Sequence, residues 1–234
     1  MEIYNILIVD DDREIVKSLG KLLELEGYGV YKAYDGMEAM ELLMQKKIHL
    51  ILLDVMMPKL NGLAALMKIR EKNNIPIIML SAKTEESDKV LGLSMGADDY
   101  VTKPYNTAEL MARVKSQLRR YFSLGAALGT GKEEELVNGG LVLNKNKKNV
   151  TVDGDEVHLT ATEYKILELL MNHPGYVFSA EEIYEKVWQE DAYSVENTVM
   201  VHIRRIREKI EITPKNPKYL KVVWGIGYKI EKVK

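Results

Sequence analysis

The chain has 234 residues, of which 46% are hydrophobic and 29% charged, with a formal net charge of −2 and no cysteine. That length suits two domains with a core each, and the composition argues against collagen, coiled coil or disorder. Without cysteine there is no disulfide framework, thiolate zinc site or thiol nucleophile, and no apolar run approaches the roughly 20 residues that span a bilayer.

The start, Met1-Glu2-Ile3-Tyr4, lacks the basic residues and long apolar stretch of a secretory leader, so a cytoplasmic protein with no membrane partner is expected. Residues 137–234 carry 15 Lys/Arg and 14 Asp/Glu, net +1, and the remainder carries 18 and 21, net −3. Neither part is a polycation, so any nucleic-acid binding must come from local clustering of charge.

From the N-terminus, short apolar runs alternate with helical patterns. Residues 3–9 read as a buried strand and 14–25 as a helix with Ile15, Leu19, Leu22 and Leu23 on one face, ended by Gly27. Strands then follow at 28–33, 50–53, 75–80 and 100–102, and helices at 36–45, 63–71, 85–95 and 108–120. About five βα units with strands apolar on both sides predict a parallel sheet covered by helices, over residues 1–121. Residues 122–136, with Gly125, Gly129, Gly131 and the acidic run 133–135, read as an exposed linker. Residues 137–234 form the second predicted domain. It has strands at 141–143, 149–152 and 157–159, the hairpin signal Asp153-Gly154, helices at 161–171, 180–187 and 195–210, and a closing hairpin of 219–224 and 228–230.

Ligands of an open parallel sheet bind beyond the carboxyl ends of its strands. Here those ends carry Asp10-Asp11-Asp12, Asp54, Ser81-Ala82 and Lys103-Pro104. Carboxylates converging at one edge need a cation, and oxygen donors favour a hard ion such as Mg²⁺. Lys103 and the Ser81 hydroxyl suit an added phosphoryl group, so one carboxylate could attack phosphorus while Mg²⁺ and Lys103 stabilise the transferring oxygens. Each residue alone has a plainer reading. Asp12 before Glu14 looks like a helix cap, Lys103 like a solvated loop lysine and Ser81 like a turn residue. Their joint placement favours the site.

The stretches Ile6-Leu7-Ile8-Val9-Asp10-Asp11-Asp12, Leu52-Leu53-Asp54-Val55-Met56-Met57-Pro58 with Asn61-Gly62, Leu80-Ser81-Ala82, and Gly96-Ala97-Asp98-Asp99-Tyr100-Val101-Thr102-Lys103-Pro104 resemble receiver domains of two-component response regulators. The resemblance implies a flavodoxin-like, doubly wound (βα)5 fold with Asp54 as phosphoacceptor. It implies Mg²⁺ held by Asp10, Asp11, Asp54 and the Met56 backbone carbonyl, with Lys103 on the phosphoryl oxygens. Ser81 would be the hydroxyl that swings inward and Tyr100 the aromatic switch, and the Lys103–Pro104 bond is expected to be cis. A sensor histidine kinase would be the donor, chosen near Ile15, Ser18 and Leu22.

Glu109 and Arg113, four apart, share one helix side, with Lys89 and Asp98-Asp99 on neighbouring elements. A self-paired solvated face is the plainer reading. The resemblance implies instead that Lys89–Glu109, and Asp98 or Asp99 with Arg113, cross the interface of a homodimer formed on phosphorylation, with Arg120 adding to it.

Along 194–210, Val195, Val199, Ile203, Ile206 and Ile210 bury one stripe, leaving Asn197, Met200, Val201, Arg204, Arg205, Arg207 and Lys209 on the other sides. Such a helix suits a major groove, or is a surface helix whose arginines favour the negative end of its dipole. Context decides. Leu159-Thr160-Ala161-Thr162-Glu163-Tyr164-Lys165-Ile166-Leu167, Asn172-His173-Pro174-Gly175, Val187-Trp188, Val199-Met200-Val201-His202-Ile203-Arg204-Arg205-Ile206-Arg207 and Gly225-Ile226-Gly227-Tyr228 resemble the C-terminal winged helix-turn-helix domain of OmpR/PhoB regulators, and the chain's tail is similar to VanR-type members.

That resemblance implies binding to double-stranded operator or promoter DNA. Met200, Val201 and Arg205 would face bases, and Thr198, His202, Arg204 and Arg207 would hold phosphates. Residues 189–193 would form a loop able to touch RNA polymerase. Met200 stands where many relatives have an acid, which should shift base preference towards a thymine methyl. Trp224 stands where some place a minor-groove Arg, which argues against wing insertion and leaves Lys221 or Lys229 to contact phosphates.

The sequence thus reads as a phosphorylation-controlled transcription regulator rather than an enzyme, catalysing only its own phosphorylation and dephosphorylation. One rival is a haloacid-dehalogenase-like phosphatase, with Asp10 as nucleophile and Asp12 as acid/base; it leaves Asp54 without a role. A constitutive DNA-binding protein with a structural receiver is the other.

Overall fold

Apolar residues at successive positions can be buried only if both faces of a strand are covered, and the first sheet shows this arrangement. Strands β1 (Asn5–Val9), β2 (Gly29–Ala33), β3 (Leu50–Asp54), β4 (Ile77–Ser81) and β5 (Asp99–Thr102) are parallel, in the order β2-β1-β3-β4-β5. Residues 6–9, 50–53 and 77–80 are wholly buried. Helices α1 (Arg13–Leu25), α2 (Gly36–Gln45), α3 (Gly62–Arg70), α4 (Glu86–Ser94) and α5 (Thr107–Gly125) connect and follow the strands. The order is the flavodoxin-like, doubly wound one. The computed structural model describes residues 3–82, 86–125, 134–189 and 196–233, and the chain divides into units Met1–Leu118 and Arg119–Lys234.

Helix starts are set by side chains that accept otherwise orphaned backbone N–H groups. Asp12 caps α1, Asp35 caps α2 and Asn61 caps α3. The buried stripe of α1 is Val16, Leu19, Gly20 and Leu23, rotated from the expected one. Ile15 and Leu22 are half-buried and Ser18 is exposed. Helix α5 runs past the expected end at Arg120, and the Lys103–Pro104 peptide is cis.

The second unit opens on an antiparallel sheet of β6 (Glu135–Asn138), β7 (Leu141–Asn144), β8 (Asn149–Val152) and β9 (Asp155–Val157). Strand β6 begins inside the segment expected to be linker. Strand β9 starts two residues early because Asp153 and Gly154, at φ 51° and 96°, turn the chain tightly enough for Val152 to face Asp155. Helices α6 (Ala161–Asn172) and α7 (Ala180–Trp188) begin at capping boxes, Thr160 with Glu163 and Ser179 with Glu182. Helix α8 (Glu196–Ile210) precedes the hairpin β10 (Leu220–Val223) and β11 (Gly227–Ile230). Val199, Ile203, Ile206 and Ile210 enter the core beside Trp188, as expected; Val195 lies outside the described residues. Among those residues no helix is long and apolar enough to cross a membrane.

Candidate functional site

Strand β1 sits between β2 and β3, so the chain reverses its direction of travel across the sheet there, and the crevice opens at the carboxyl ends of β1 and β3. Asp10 and Asp11 follow β1 and Asp54 ends β3, and their carboxylates each place an oxygen within 4.8 Å of the others. Lys103, after β5, reaches across with Nζ 2.6 Å from Asp10 Oδ2 and 2.5 Å from Asp54 Oδ1. The backbone N–H groups of Met56 and Asp12 donate to Asp54 Oδ2 and Asp10 Oδ1 at 2.6 and 3.0 Å. Three carboxylates and one ammonium leave two negative charges among hard oxygen donors, which fits a divalent cation.

Burial raises the Asp54 carboxyl; Lys103 opposes this, Asp10 adds to it, and the net shift is upward. For Lys103, burial would lower the ammonium, but Asp10 and Asp54 outweigh it and its pKa is raised. Ser81 is buried at the end of β4, its carbonyl accepting from Lys103 N at 2.6 Å. Tyr100 is buried too, and a Cβ on Gly92 of α4 would lie 3.3 Å from its ring. Sequence reasoning missed Tyr105. It is half-buried two residues after Lys103, and its phenol is raised first by burial, with Lys103 lowering it and Asp10 and Asp54 raising it. Its signal was adjacency to Lys103-Pro104.

Asp12 takes the plainer role, accepting from Glu14 N and Ile15 N at 2.9 and 3.2 Å as the cap of α1.

In the second unit Met200 is 44% exposed, and Arg204 is exposed with Nε donating to Glu208 Oε1 at 2.8 Å. Trp224, at the hairpin tip, is 90% exposed. The rest of the expected DNA face is corrected. Thr198, Val201, His202 and Arg205 are buried, because α8 packs against both α6 and α7. Arg205 Nη2 lies 2.9 Å from Oε1 of buried Glu163, and the His202 ring sits 5.5 Å from that of Trp188. Arg207 is half-buried, its Nε donating to Leu220 O at 2.9 Å, so it holds β10 rather than projecting towards phosphate. Of the loop 189–193, only Gln189 is described, in a left-handed conformation at the end of α7.

Residues 6–115 match the response regulator receiver domain, and 154–230 the C-terminal domain of transcriptional regulatory proteins. The regulatory protein VanRc of Enterococcus gallinarum is 45% identical over 227 residues, 97% of this chain and 98% of that protein. The crystal structure of DrrB, a Thermotoga maritima OmpR/PhoB homologue, is 30% identical and covers 98% of this chain and 100% of that one, with a TM-score of 0.52. The chain belongs to the OmpR/PhoB-type response regulators. VanR of Enterococcus faecium is likewise 45% identical, over 228 residues, 97% of this chain and 98% of that protein. This response regulator is a phosphorylation-dependent transcription regulator, not an enzyme, and its partners are DNA and a histidine kinase.

On the charged face of the receiver, Arg113 is satisfied within its own chain. Its Nη1 contacts both Asp99 oxygens at 3.0 Å, and Nη2 donates to Glu109 Oε1 at 2.8 Å. Asp98 is corrected as an interface residue. It is wholly buried just ahead of β5, Oδ2 accepting from Arg70 Nη2 at 2.6 Å and Ile77 N at 3.0 Å, and Asp99 is buried as well. Arg120 is corrected as well: it is buried, and it lies beyond the division at Arg119. Lys89 is half-buried.

Glu163 of the second unit is a buried charged residue to which sequence reasoning assigned no part. Oε2 accepts from Thr160 N at 2.8 Å and Lys209 Nζ at 2.7 Å, beside the Arg205 contact. Burial alone would raise this carboxyl, but Arg205 and Lys209 outweigh it and hold it below the usual range. A group lowered on folding stabilises fully above its unfolded value and loses that contribution as pH falls through its folded one. Thermal unfolding of the second unit should therefore show acid destabilisation below about pH 4.5. Glu163→Gln, which keeps the capping box but strands two cations, should cost about 3 kcal/mol at neutral pH and flatten that dependence.

Proposed function

We propose that Asp54 is the phosphoacceptor and that its phosphorylation pairs two receivers (residues 1–121), so that two winged-helix domains (residues 137–234) occupy adjacent half-sites on promoter DNA. The convergence of Asp10, Asp11, Asp54 and Lys103 at one sheet edge carries this reading. Asp10, Asp11, Asp54 and the Met56 carbonyl would hold Mg²⁺, which when bound neutralises the pocket's excess charge.

An Asp54 oxygen attacks the phosphorus of a phosphohistidine. The P–O bond of an acyl phosphate forms, the P–N bond breaks, and the imidazole leaves with a proton. Lys103 stabilises charge on the transferred oxygens from a position already in contact with Asp54. The Ser81 hydroxyl moves towards the new dianion, and Tyr100 follows, reshaping the face built by α4, β5 and α5. On pairing, Arg113 exchanges its own-chain Asp99 for that of a second copy, and Lys89 pairs with that copy's Glu109. Such exchange sets register more than affinity.

Of the expected contacts among the described residues, Met200, Arg204 and Trp224 are open to a duplex, Met200 as an apolar contact for a thymine methyl. The stretch ahead of α8 is the proposed contact for RNA polymerase, and the cytoplasm the proposed location.

Selection of bound DNA from a random pool, with and without phosphoramidate and Mg²⁺, tests this. Two spaced half-sites should be enriched only in the phosphodonor arm, because tethered pairs gain effective concentration. Equal enrichment in both arms would mean a constitutive binder.

A further inference from the structure

A left-handed backbone at a residue with a side chain is uncommon outside Asn and Asp, and it persists where the surroundings hold it. Lys59 has φ 62° in the loop between β3 and α3. Its ammonium is bound to Asp35 Oδ2. Asp35 is buried, and its Oδ1 accepts from Met37 N and Glu38 N at 2.8 and 3.0 Å as the cap of α2. The same carboxylate therefore starts one helix and anchors a loop from the other side of β1.

The rest of the loop is packed to match. A Cβ on Gly36 would lie 2.8 Å from the Leu60 carbonyl oxygen, so the loop rests on the first turn of α2. At its far end Gly62 N donates to Val55 O at 3.1 Å, and a Cβ on Gly62 would fall 1.9 Å from Asp54 O. Residues 55–61 are thus closed onto the backbone of Asp54 and pinned to α2 through Lys59. Met56, whose N–H holds Asp54 Oδ2, sits between these two anchors.

We infer that Lys59 is a positioning residue for phosphoryl acceptance: bound to Asp35, it fixes the loop that presents the Met56 N–H and carbonyl to the acidic pocket. The inference rests on the reading of Asp54 as the acceptor. Lys59 touches neither phosphorus nor metal; it acts through the Met56 backbone.

Backbone strain makes the test decisive. Lys59→Gly removes the ammonium and also relieves the left-handed backbone, so it should not lower thermal stability. Lys59→Met removes the ammonium and keeps the strain. Both should weaken Mg²⁺ binding by about tenfold in calorimetry, the scale on which groups that buttress metal ligands act, and both should slow phosphorylation by phosphoramidate. Lys59→Arg should recover most of both losses. Asp35→Asn keeps a good cap and should give the same loss, with no further loss when combined with Lys59→Met. Mg²⁺ affinity and rate unchanged in Lys59→Gly, or losses that follow melting temperature across the set, would overturn the assignment. Wild-type protein that binds Mg²⁺ but is never labelled at Asp54 would instead overturn the reading of the acceptor, leaving the Mg²⁺ comparison to judge Lys59.

Discussion

Asp54→Asn is expected to leave the receiver folded and to abolish stable phosphoryl incorporation. The amide keeps the shape of the carboxylate, and its oxygen can still accept from Met56 N or Lys103 Nζ, which lie 2.6 and 2.5 Å from the Asp54 oxygens. It is not a nucleophile towards phosphorus, and it removes one of three charges that attract a divalent ion. Intact mass spectrometry after phosphoramidate and Mg²⁺ should show one added phosphoryl group on the wild type and none on the variant. Sedimentation should show pairing only of the wild type, and the phosphodonor-dependent DNA selection should vanish. Because Asp54 is raised mainly by burial, replacing it with a neutral group also removes an unfavourable buried charge. The variant should therefore melt no lower than the wild type at neutral pH. A variant that melted several degrees lower would show that Asp54 holds the fold.

The same experiment bears on the phosphatase reading, which makes Asp10 the nucleophile and Asp12 the acid/base. Asp12 spends its carboxylate on the two leading N–H groups of α1, and a capping carboxylate is poorly placed to shuttle protons. Asp10 is buried and shared between Lys103 Nζ and Asp12 N. The relatives are response regulators, and that rival has no support among them. Catalytic turnover of phosphoramidate by Asp54→Asn would be the result in its favour.

What the sequence discloses and what it hides divide along a physical line. The continuous apolar runs of β1, β3 and β4 have only one use, a strand buried on both faces, and the polar residues that close them must then meet at one edge. The pocket was therefore legible. Helix α8 was half legible: spacing reveals the stripe of Val199, Ile203, Ile206 and Ile210, but not that a second side is buried against α6 and α7. That depends on Glu163, 42 residues before Arg205 in the chain and readable locally only as the third residue of a capping box. Asp98 and Asp99 are neighbours of identical type and both are buried, yet one accepts from Arg70 and the other from Arg113, partners that lie 28 and 14 residues away in the chain. Lys59 gave no sign of a left-handed backbone because its reason, Asp35, lies across β1.

Gly62→Ala should be the most damaging single methyl in the receiver, and its damage should reach the acceptor directly. A Cβ at Gly62 would lie 1.9 Å from the carbonyl oxygen of Asp54, 2.8 Å from its carbonyl carbon and 2.9 Å from Val55 Cα. These are backbone atoms of the central strand and the residue after it, so no side-chain rotation relieves the overlap, and either α3 withdraws or the end of β3 shifts. Overpacking of this kind, with no side chain to give way, costs about 3 kcal/mol. Gly36→Ala offers a graded comparison, since its nearest neighbours are the Leu60 carbonyl oxygen at 2.8 Å and the Leu60 side chain at 2.9 Å, outside the sheet and less close than the 1.9 Å overlap at Gly62. Chemical denaturation should rank wild type above Gly36→Ala and Gly36→Ala above Gly62→Ala. Where Gly62→Ala still folds, moving the end of β3 separates Asp54 from Lys103 and Met56 N, contacts now at 2.5 and 2.6 Å. Phosphorylation should then be lost even under conditions where the fold is fully populated. A Gly62→Ala variant as stable as the wild type and labelled at the same rate would show that this junction tolerates displacement, and that the acceptor is not held by the backbone packing at the end of β3.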